Sequence, residues 1–425
     1  MAESRGRDST WNAVGTTAWS FLSLLLLIIV TRFNGVDASG LFSFSYAVAM
    51  IMYSVACYGG RTYQVSDLDQ EFRSGDYVSL RIAMSAVALV ATGAFVLVND
   101  FSWSKAALIL ILVAQRVFDA VADALYGILQ KAGQLYISGK SLLYKSLLAL
   151  AGFVAVDLLT RDLLLASLAL PLSSLAYLVA YDAPHARVVE RFKLRFDRHT
   201  LTRILATTVL TFVITLLIQV FSNVARYAVD IYHPTMQWAF GILIMPLSFV
   251  TLLFSFILVP MILRLSEFHQ GGDYKALRHT VNQITAVMAG IGLVTAGITY
   301  LIGPELLQLV FGQDFTSYRL DLTLVIAIGT ISSISSIYGN VTVIVRKMRV
   351  SAMFYSVALI ALIALCIPLV SRFSIRGAIL AYLGGTVIQM LLVGGYSWHL
   401  VKGDRPRPGT DIGQPANEPD GIDPA

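Results

Sequence analysis

Three charged residues interrupt an apolar stretch that is long enough to cross a bilayer. Residues 106–130 carry Arg116, Asp119 and Asp123, and Tyr126 continues the same spacing of three and four. In a helix, this spacing places all four side chains on one face. Arg116 lies about 15 Å from the start of the stretch, near the middle of a hydrocarbon core that is about 30 Å thick. A charge at that depth costs at least ~2.5 kcal/mol in lipid, so this face should contact protein or water.

Two interpretations of this charged face are open. Arg116 could neutralise Asp119 and Asp123 in a structural ion pair, since both carboxylates lie within two turns of it. Alternatively, its guanidinium could bind phosphate, because its planar fork of donors matches phosphate oxygens. Snorkelling to the interface is hard from mid-bilayer depth, which favours a functional role for Arg116.

A second polar face is predicted on the apolar segment 204–225 and its continuation. Its side chains, together with a smaller set near the N-terminus, are the candidates to line a hydrophilic cleft: Thr211, Thr215, Gln219, Arg226 and Asp230, with Asn12 and Thr16. Arg226 and Asp230 are four residues apart near a helix end, where an i,i+4 pair at the interface is the favoured interpretation. The alternative is that Arg226 is a second phosphate ligand.

The composition is that of a polytopic membrane protein. Of the 425 residues, 56% are hydrophobic and 13% are charged, whereas soluble domains contain about 25% charged residues. The basic net charge follows the expected membrane topology, so nucleic acid is not predicted as a partner. Cys57 and Cys366 lie in apolar segments, which argues against a disulfide. We find no Walker motif, no metal-ligand spacing and no extramembrane segment of domain size, so neither enzyme activity nor a cofactor or metal is predicted.

Hydropathy predicts an all-α protein with about twelve transmembrane helices. The apolar segments lie near 11–31, 41–59, 78–98, 106–130, 141–158, 163–181, 204–225, 237–262, 282–302, 321–345, 351–371 and 377–400. Lys and Arg concentrate in alternate connections, which predicts that both termini are cytoplasmic.

The connections divide the chain into two halves. We predict an N-terminal six-helix lobe over 1–182, a basic cytoplasmic linker over 183–203, a C-terminal six-helix lobe over 204–402 and a disordered cytoplasmic tail over 403–425. The linker is interpreted as a topology anchor beside anionic lipid.

Four short motifs on this 6 + 6 plan resemble bacterial polysaccharide (O-antigen type) flippases of the multidrug/oligosaccharidyl-lipid/polysaccharide exporter superfamily. They are RTYQVSD at 61–67, RYAVDIY at 226–232, FGILIMP at 240–246 and IVRKM at 344–348. The resemblance extends to about Lys402.

The resemblance implies a multi-pass protein of the bacterial cytoplasmic membrane. Such a protein moves an oligosaccharide linked to undecaprenyl pyrophosphate from the inner to the outer leaflet by alternating access. The resemblance also implies glycosyltransferases and a polysaccharide polymerase as its functional partners. From their positions, Arg116 and Arg226 are the candidates for the carrier's phosphates. The alternative is a cation- or proton-coupled multidrug-type exporter with Asp119 and Asp123 as its ion sites. An Arg-dominated cavity would favour the flippase, and unpaired Asp would favour the exporter.

Overall fold

The computed structural model describes residues 2–67, 71–345 and 347–402, and within these ranges the chain is helical and contains no strand. The predicted tail 403–425 and Arg346 of the IVRKM motif lie outside these ranges. The α-helices are, in order, α1 (Ala2–Phe33), α2 (Val36–Ala56), α3 (Gly60–Ser66), α4 (Ser74–Val98), α5 (Trp103–Lys131), α6 (Leu135–Thr160), α7 (Leu163–Ser167), α8 (Ala169–Tyr177), α9 (Ala183–Val189), α10 (Arg198–Tyr232), α11 (Gln237–Leu243), α12 (Met245–Gln270), α13 (Tyr274–Phe311), α14 (Arg319–Ile344) and α15 (Met348–Lys402).

Ten helical segments of the described chain are long and apolar enough to cross a membrane. The charged helix α5 is not among them, because Arg116, Asp119 and Asp123 interrupt its apolar sequence. The last of the ten, within α15, contains Ser374 at φ 51 and ψ −129, so two helical arms meet there at a sharp bend. A positive φ is unfavourable for a serine, so the packing of the two arms must hold this bend in place.

Two of the predicted spans are interrupted helices. The sixth consists of α7, α8, a π-helical turn at Leu178–Asp182 and α9. The eighth breaks at Ile244, between α11 and α12. Pro246 lies in the first turn of α12, where its missing N–H leaves no intrahelical bond unmade, so the sequence itself favours a helix start there.

The helices α1 and α6 pack at backbone contact. A Cβ atom on Gly15 would lie 2.0 Å from the carbonyl oxygen of Gly139, and one on Gly139 would lie 2.3 Å from that of Trp11. Side chains are excluded at both positions. Small residues at such a crossing let two membrane helices approach closely and gain dispersion contacts along their length.

The two halves share one hydrophobic core at the end of the bundle where α1 meets α2, which we call the closed end. This core contains Leu26 of α1, Phe44 of α2, Phe240 of α11, Phe311 of α13 and Ile379 of α15, all at most 2% exposed. The α1–α2 end of the molecule is therefore a single packed unit.

At the opposite end, the halves have separate cores. Phe254, Leu277 and Val341 belong to a core of α12, α13 and α14, whereas Val78 and Leu125 belong to a small core of α4, α5 and α9. The start of α10 bridges the halves there, through Ile204, which packs near Phe72 and Tyr77. The bundle thus has one large shared core at the closed end, whereas at the other end the two separate cores are bridged by the start of α10; we call this second end the divided end.

Candidate functional site

A cavity of about 460 Å³, lined by both apolar and polar side chains, lies between the two halves, below the closed end. Its wall combines side chains from α1, α2, α10, the α11–α12 break and α15. The polar ones are Trp19, Ser20, Ser23, Ser43, Tyr46, Gln219, Ser222, Asn223, Arg226, Ser248, Thr251, Ser255 and Tyr382. A smaller cavity of about 250 Å³ shares Ser222, Thr251 and Tyr382 with it and adds Ser332, Ser333, Ser336 and Gln389 from α14 and α15. Hydroxyl and amide groups therefore dominate the polar surface between the halves.

Arg226 is the cation in the wall of the larger cavity. It lies on α10, partly exposed, beside Tyr46 and Tyr382. Within the described ranges it forms no ion pair and no hydrogen bond with the protein. A guanidinium in the interior of a membrane protein needs anionic or polar partners, so Arg226 is available to a ligand.

The expected pair between Arg226 and Asp230 is wrong. Asp230 Oδ2 accepts a hydrogen bond from Lys105 Nζ at 2.6 Å, across the boundary between α10 and the start of α5. Lys105 also lies 4.0 Å from the ring centre of Phe44. Asp230 thus pairs with a lysine from the other half of the molecule instead of with the arginine four residues before it on the same helix.

Arg116 lies one side chain behind the cavity wall. Its side chain is 2% exposed; Nη1 donates to Asp119 Oδ2 at 3.1 Å and Nη2 donates to the Tyr46 hydroxyl at 2.9 Å. Its guanidinium lies 4.9 Å from the ring centre of Trp19 and 5.0 Å from that of Tyr46. Both aromatic rings line the cavity, so they separate Arg116 from it in this conformation. The prediction that Arg116 faces protein rather than lipid is thereby met.

Asp119 is the centre of a buried polar cluster. Its Oδ1 accepts hydrogen bonds from Lys145 Nζ at 2.7 Å and from Ser174 Oγ at 3.0 Å, in addition to the Arg116 contact on Oδ2. Trp19 Nε1 also donates to Oδ2, at 3.4 Å. Asp119 thus lies between two cations, and from α5 it contacts α1, α6 and α8.

Asp123 does not pair with Arg116, so the interpretation of one ion pair that includes both carboxylates holds for Asp119 and not for Asp123. It forms ion pairs with Arg81 of α4 at 3.4 Å and with Arg61 of α3 at 3.7 Å. One turn beyond Asp119, the helix face already points toward α3 and α4 rather than α6. The two carboxylates on this face of α5 therefore contact different helices, Asp119 contacting α6 and Asp123 contacting α3 and α4.

The remaining predicted residues are distributed unequally. Gln219 lines the cavity, and its Nε2 donates to the Met50 carbonyl at 3.3 Å. Tyr126 is buried and its hydroxyl bonds to Ser141 at 2.9 Å and Asp182 at 3.4 Å. The other four lie outside the cavity wall: Asn12 and Thr211 are half-buried, and Thr16 and Thr215 are exposed.

The motifs that carry the flippase resemblance connect the site to the bundle. In RTYQVSD, Arg61 reaches Asp123, and Gln64 donates to the Ala124 carbonyl of α5 at 3.0 Å. RYAVDIY supplies Arg226 to the cavity and Asp230 to Lys105, and FGILIMP forms the α11–α12 break. These three motifs thus have defined places in the part of the chain that the structure describes.

Lys145, Arg81 and Lys105 pair with the predicted carboxylates, and none of the three was predicted from the sequence. Lys145 is the only lysine or arginine of the predicted apolar segment 141–158 and is 4% exposed, as is Arg81 in α4. A lone cation within an apolar segment is the signal that could have identified Lys145. The serine row of α14 at 332–336 was also missed, because serine in membrane helices so often bonds its own backbone.

The sequence matches no protein-family model and no curated protein. Solved structures, in contrast, share its fold over nearly its whole length. A lipid II flippase, MurJ, in an inward closed conformation has a TM-score of 0.68 at 13% identity, over 90% of this chain and 86% of that one. An inward-facing multidrug resistance MATE family transporter of the MOP superfamily has a TM-score of 0.63 at 14% identity, over 90% and 94%.

A third structure is a MOP superfamily transporter from Pyrococcus furiosus, described by the reverse polarity of its binding pocket, with a TM-score of 0.59 at 12% identity, over 94% and 95%. The chain therefore has the all-helical, multi-pass membrane fold that MATE transporters and this lipid flippase share.

Proposed function

We propose that the protein is a flippase for an oligosaccharide linked to undecaprenyl pyrophosphate in the bacterial cytoplasmic membrane, with Arg226 as a ligand of the carrier's phosphates. The observation that carries this proposal is the cavity's charge. Arg226 is unpaired within the described residues, and the polar groups around it are hydroxyls and amides. Guanidinium suits phosphate, and hydroxyls and amides suit sugar hydroxyls.

The same cavity argues against the multidrug alternative. An exporter of amphipathic cations needs carboxylates on the cavity wall, and among the described residues neither of the two connected cavities is lined by Asp or Glu. Asp119 and Asp123, the ion sites of that alternative, are each paired with two cations. Glycosyltransferases that build the lipid-linked sugar and a polymerase that consumes it are the expected functional partners.

Alternating access fits the uneven contacts between the halves. The closed end is held by the shared core, by the Lys105–Asp230 pair and by Arg32, which donates from α1 to the carbonyl oxygens of Leu309 and Val310 at the end of α13. Opening this end and closing the divided end would expose the cavity to the other leaflet.

The proposed topology has twelve crossings with both termini in the cytoplasm. The ten apolar spans become twelve when α5 and the second arm of α15 are included. Single cysteines at Ser102 and Thr235, in a background without the native cysteines, should then react with an impermeant thiol reagent from outside. Cysteines at Ala132 and Gln270 should not. All four sites are exposed, so the reverse pattern would invert the proposed orientation.

Arg226→Gln tests the proposed function directly. The variant should lower export of the lipid-linked oligosaccharide by about tenfold to a hundredfold, since a hydrogen bond to a charged group contributes ~1.5–3 kcal/mol. Arg226→Lys keeps the charge but loses the bidentate fork and should be partly active. Translocation is measured in proteoliposomes that contain the undecaprenyl pyrophosphate-linked sugar, and protein incorporation is measured in the same samples.

The matched control is Arg278→Gln, which removes an exposed arginine from α13 and should leave translocation unchanged. Full translocation by Arg226→Gln would contradict the phosphate role. Efflux of a cationic dye by the wild-type protein, without translocation of the lipid-linked sugar, would establish the multidrug alternative instead.

A further inference from the structure

A second cavity, of about 720 Å³, lies at the divided end of the N-terminal half and is separate from the site between the halves. It is enclosed by the start of α4, the end of α5 and residues 189–195 of the linker. It is lined by one carboxylate, Glu190, and by five cations: Arg73, Lys131, Arg191, Lys193 and Arg195. We call it the basic pocket.

The positive charge of the basic pocket is not neutralised within the described ranges. Its single carboxylate, Glu190, accepts a hydrogen bond from Ser74 Oγ at 2.8 Å rather than from a cation. Lys131 Nζ donates to the backbone oxygen of Asp67 at 2.7 Å. The remaining arginine and lysine side chains form no ion pair with any described carboxylate. The pocket therefore attracts anions.

The linker segment itself has an alternating sequence, RFKLRF at 191–196, in backbone that is not helical. Arg191, Phe192, Lys193 and Arg195 line the pocket, and the alternation is clear from residue 193 on, where Leu194 and Phe196 are 46% and 58% exposed. A period of two places such side chains on opposite sides of an extended chain. Cations thus line the cavity beside two apolar side chains that are exposed, the arrangement of a segment that lies at a membrane interface.

The segment is held in place by α4. The Arg195 backbone N–H donates to Ser79 Oγ at 2.8 Å. A Cβ atom on Gly75 would lie 2.1 Å from the Lys193 carbonyl oxygen, so only glycine permits this approach. The cations are therefore positioned by packing, in contrast to the mobile charges of a disordered basic tail.

From these observations we infer that the basic pocket binds the phosphate of an anionic phospholipid headgroup, at the cytoplasmic surface if the proposed topology holds. Phosphate could also come from a soluble ion. The exposed Leu194 and Phe196 favour the lipid, because they would enter the acyl region beside a bound headgroup. This site does not depend on the identity of the transported substrate.

The test is a titration of the detergent-solubilised full-length protein with phosphatidylglycerol, read from the shift in thermal midpoint. Phosphatidylcholine and inorganic phosphate are titrated in parallel. The variant Arg191→Gln/Lys193→Gln should raise the half-saturating concentration of phosphatidylglycerol about twenty-five-fold, since each surface cation contributes ~1 kcal/mol, or about fivefold. Arg187→Gln/Arg198→Gln removes the same charge from outside the pocket and should change it less than threefold.

Gly75→Ala keeps every charge but displaces Lys193, so it should also weaken phosphatidylglycerol binding. Equal losses in the two double variants would overturn the site, because they would show general charge attraction. Saturation by inorganic phosphate at the same concentration as by phosphatidylglycerol would overturn the lipid assignment. If Gly75→Ala does not fold, the two double variants alone decide the result.

Discussion

The most informative perturbation is the removal of the Asp119 charge. The Asp119 carboxylate is 3% exposed and accepts hydrogen bonds from Arg116, Lys145 and Ser174. Asp182, which is fully buried one helix away, brings the formal charge of the four ionisable groups to zero. Asp119→Asn leaves this interior with one uncompensated positive charge. Breaking a buried pair in this way costs ~3–5 kcal/mol.

The structure also predicts how this loss is rescued. Lys145→Met in the Asp119→Asn background removes one cation together with one anion, so the formal charge of the cluster returns to zero while the side-chain volume at 145 is kept. We expect the double variant to be more stable than the sum of the single losses by about 2 kcal/mol, a typical coupling for residues in contact. A lone Lys145→Met should cost less than Asp119→Asn, because Asp119 keeps Arg116.

The assay is denaturant-induced unfolding in mixed micelles, with the thermal midpoint as a second readout. A surface pair supplies the control. Arg203 and Glu71 form an ion pair at 2.6 Å, but their side chains are 58% and 39% exposed, so Glu71→Gln should cost less than ~1 kcal/mol. Additive losses in the double variant, or an Asp119→Asn protein as stable as the wild type, would refute the charge-compensation argument.

Three further predictions concern the bundle. Asp230→Asn removes an ion pair from the closed end, so Ser43→Cys, on the cavity wall, should react faster with an impermeant thiol reagent added from outside; an unchanged rate would show that the pair does not restrain opening. Burial raises the pKa of Asp67, but hydrogen bonds from two backbone N–H groups and a tyrosine hydroxyl outweigh it, and the pKa lies below its usual value. The carboxylate therefore stabilises the fold above about pH 4, and this contribution is lost as the pH falls further, so Asp67→Asn should lower the thermal midpoint at pH 7 and flatten its acid dependence. Gly139→Val should destabilise by ~1–3 kcal/mol through steric overlap with α1, measured by thermal midpoint against Gly93→Val, whose site has open space.

The sequence predicted how deep in the bundle a residue lies better than it predicted which residues it contacts. Hydropathy and charge placed Arg116 inside the protein, because the cost of a guanidinium in lipid is large and independent of the fold. Of the polar stripe on α10, Gln219 and Arg226 line the cavity, whereas Thr211 and Thr215 lie outside its wall. Helical periodicity gives the face of one helix, however, and not the helix that packs against it.

The wrong pairings share this cause. Asp123 and Asp230 each have an arginine at a suitable spacing on their own helix, but Asp123 pairs with Arg61 and Arg81 and Asp230 pairs with Lys105, all from other helices. Such contacts depend on which helices are neighbours, and helix order in a bundle is set by packing of small residues and by backbone contact. Neither can be read from a single periodic stripe.

The polar cluster around Asp119 also has a consequence for biogenesis. Helix α5 leaves the ribosome before two of the partners of Asp119, Lys145 of α6 and Ser174 of α8, and Ser174 follows Asp119 by 55 residues. At ~5–20 residues per second, this interval is about 3–11 s. A central charge costs ~2.5–3.5 kcal/mol on translocon-insertion scales, and α5 contains three such charges. Lateral release of α5 into lipid should therefore wait for α6 and α8, so the first half of the chain leaves the translocon as a group of helices rather than one by one.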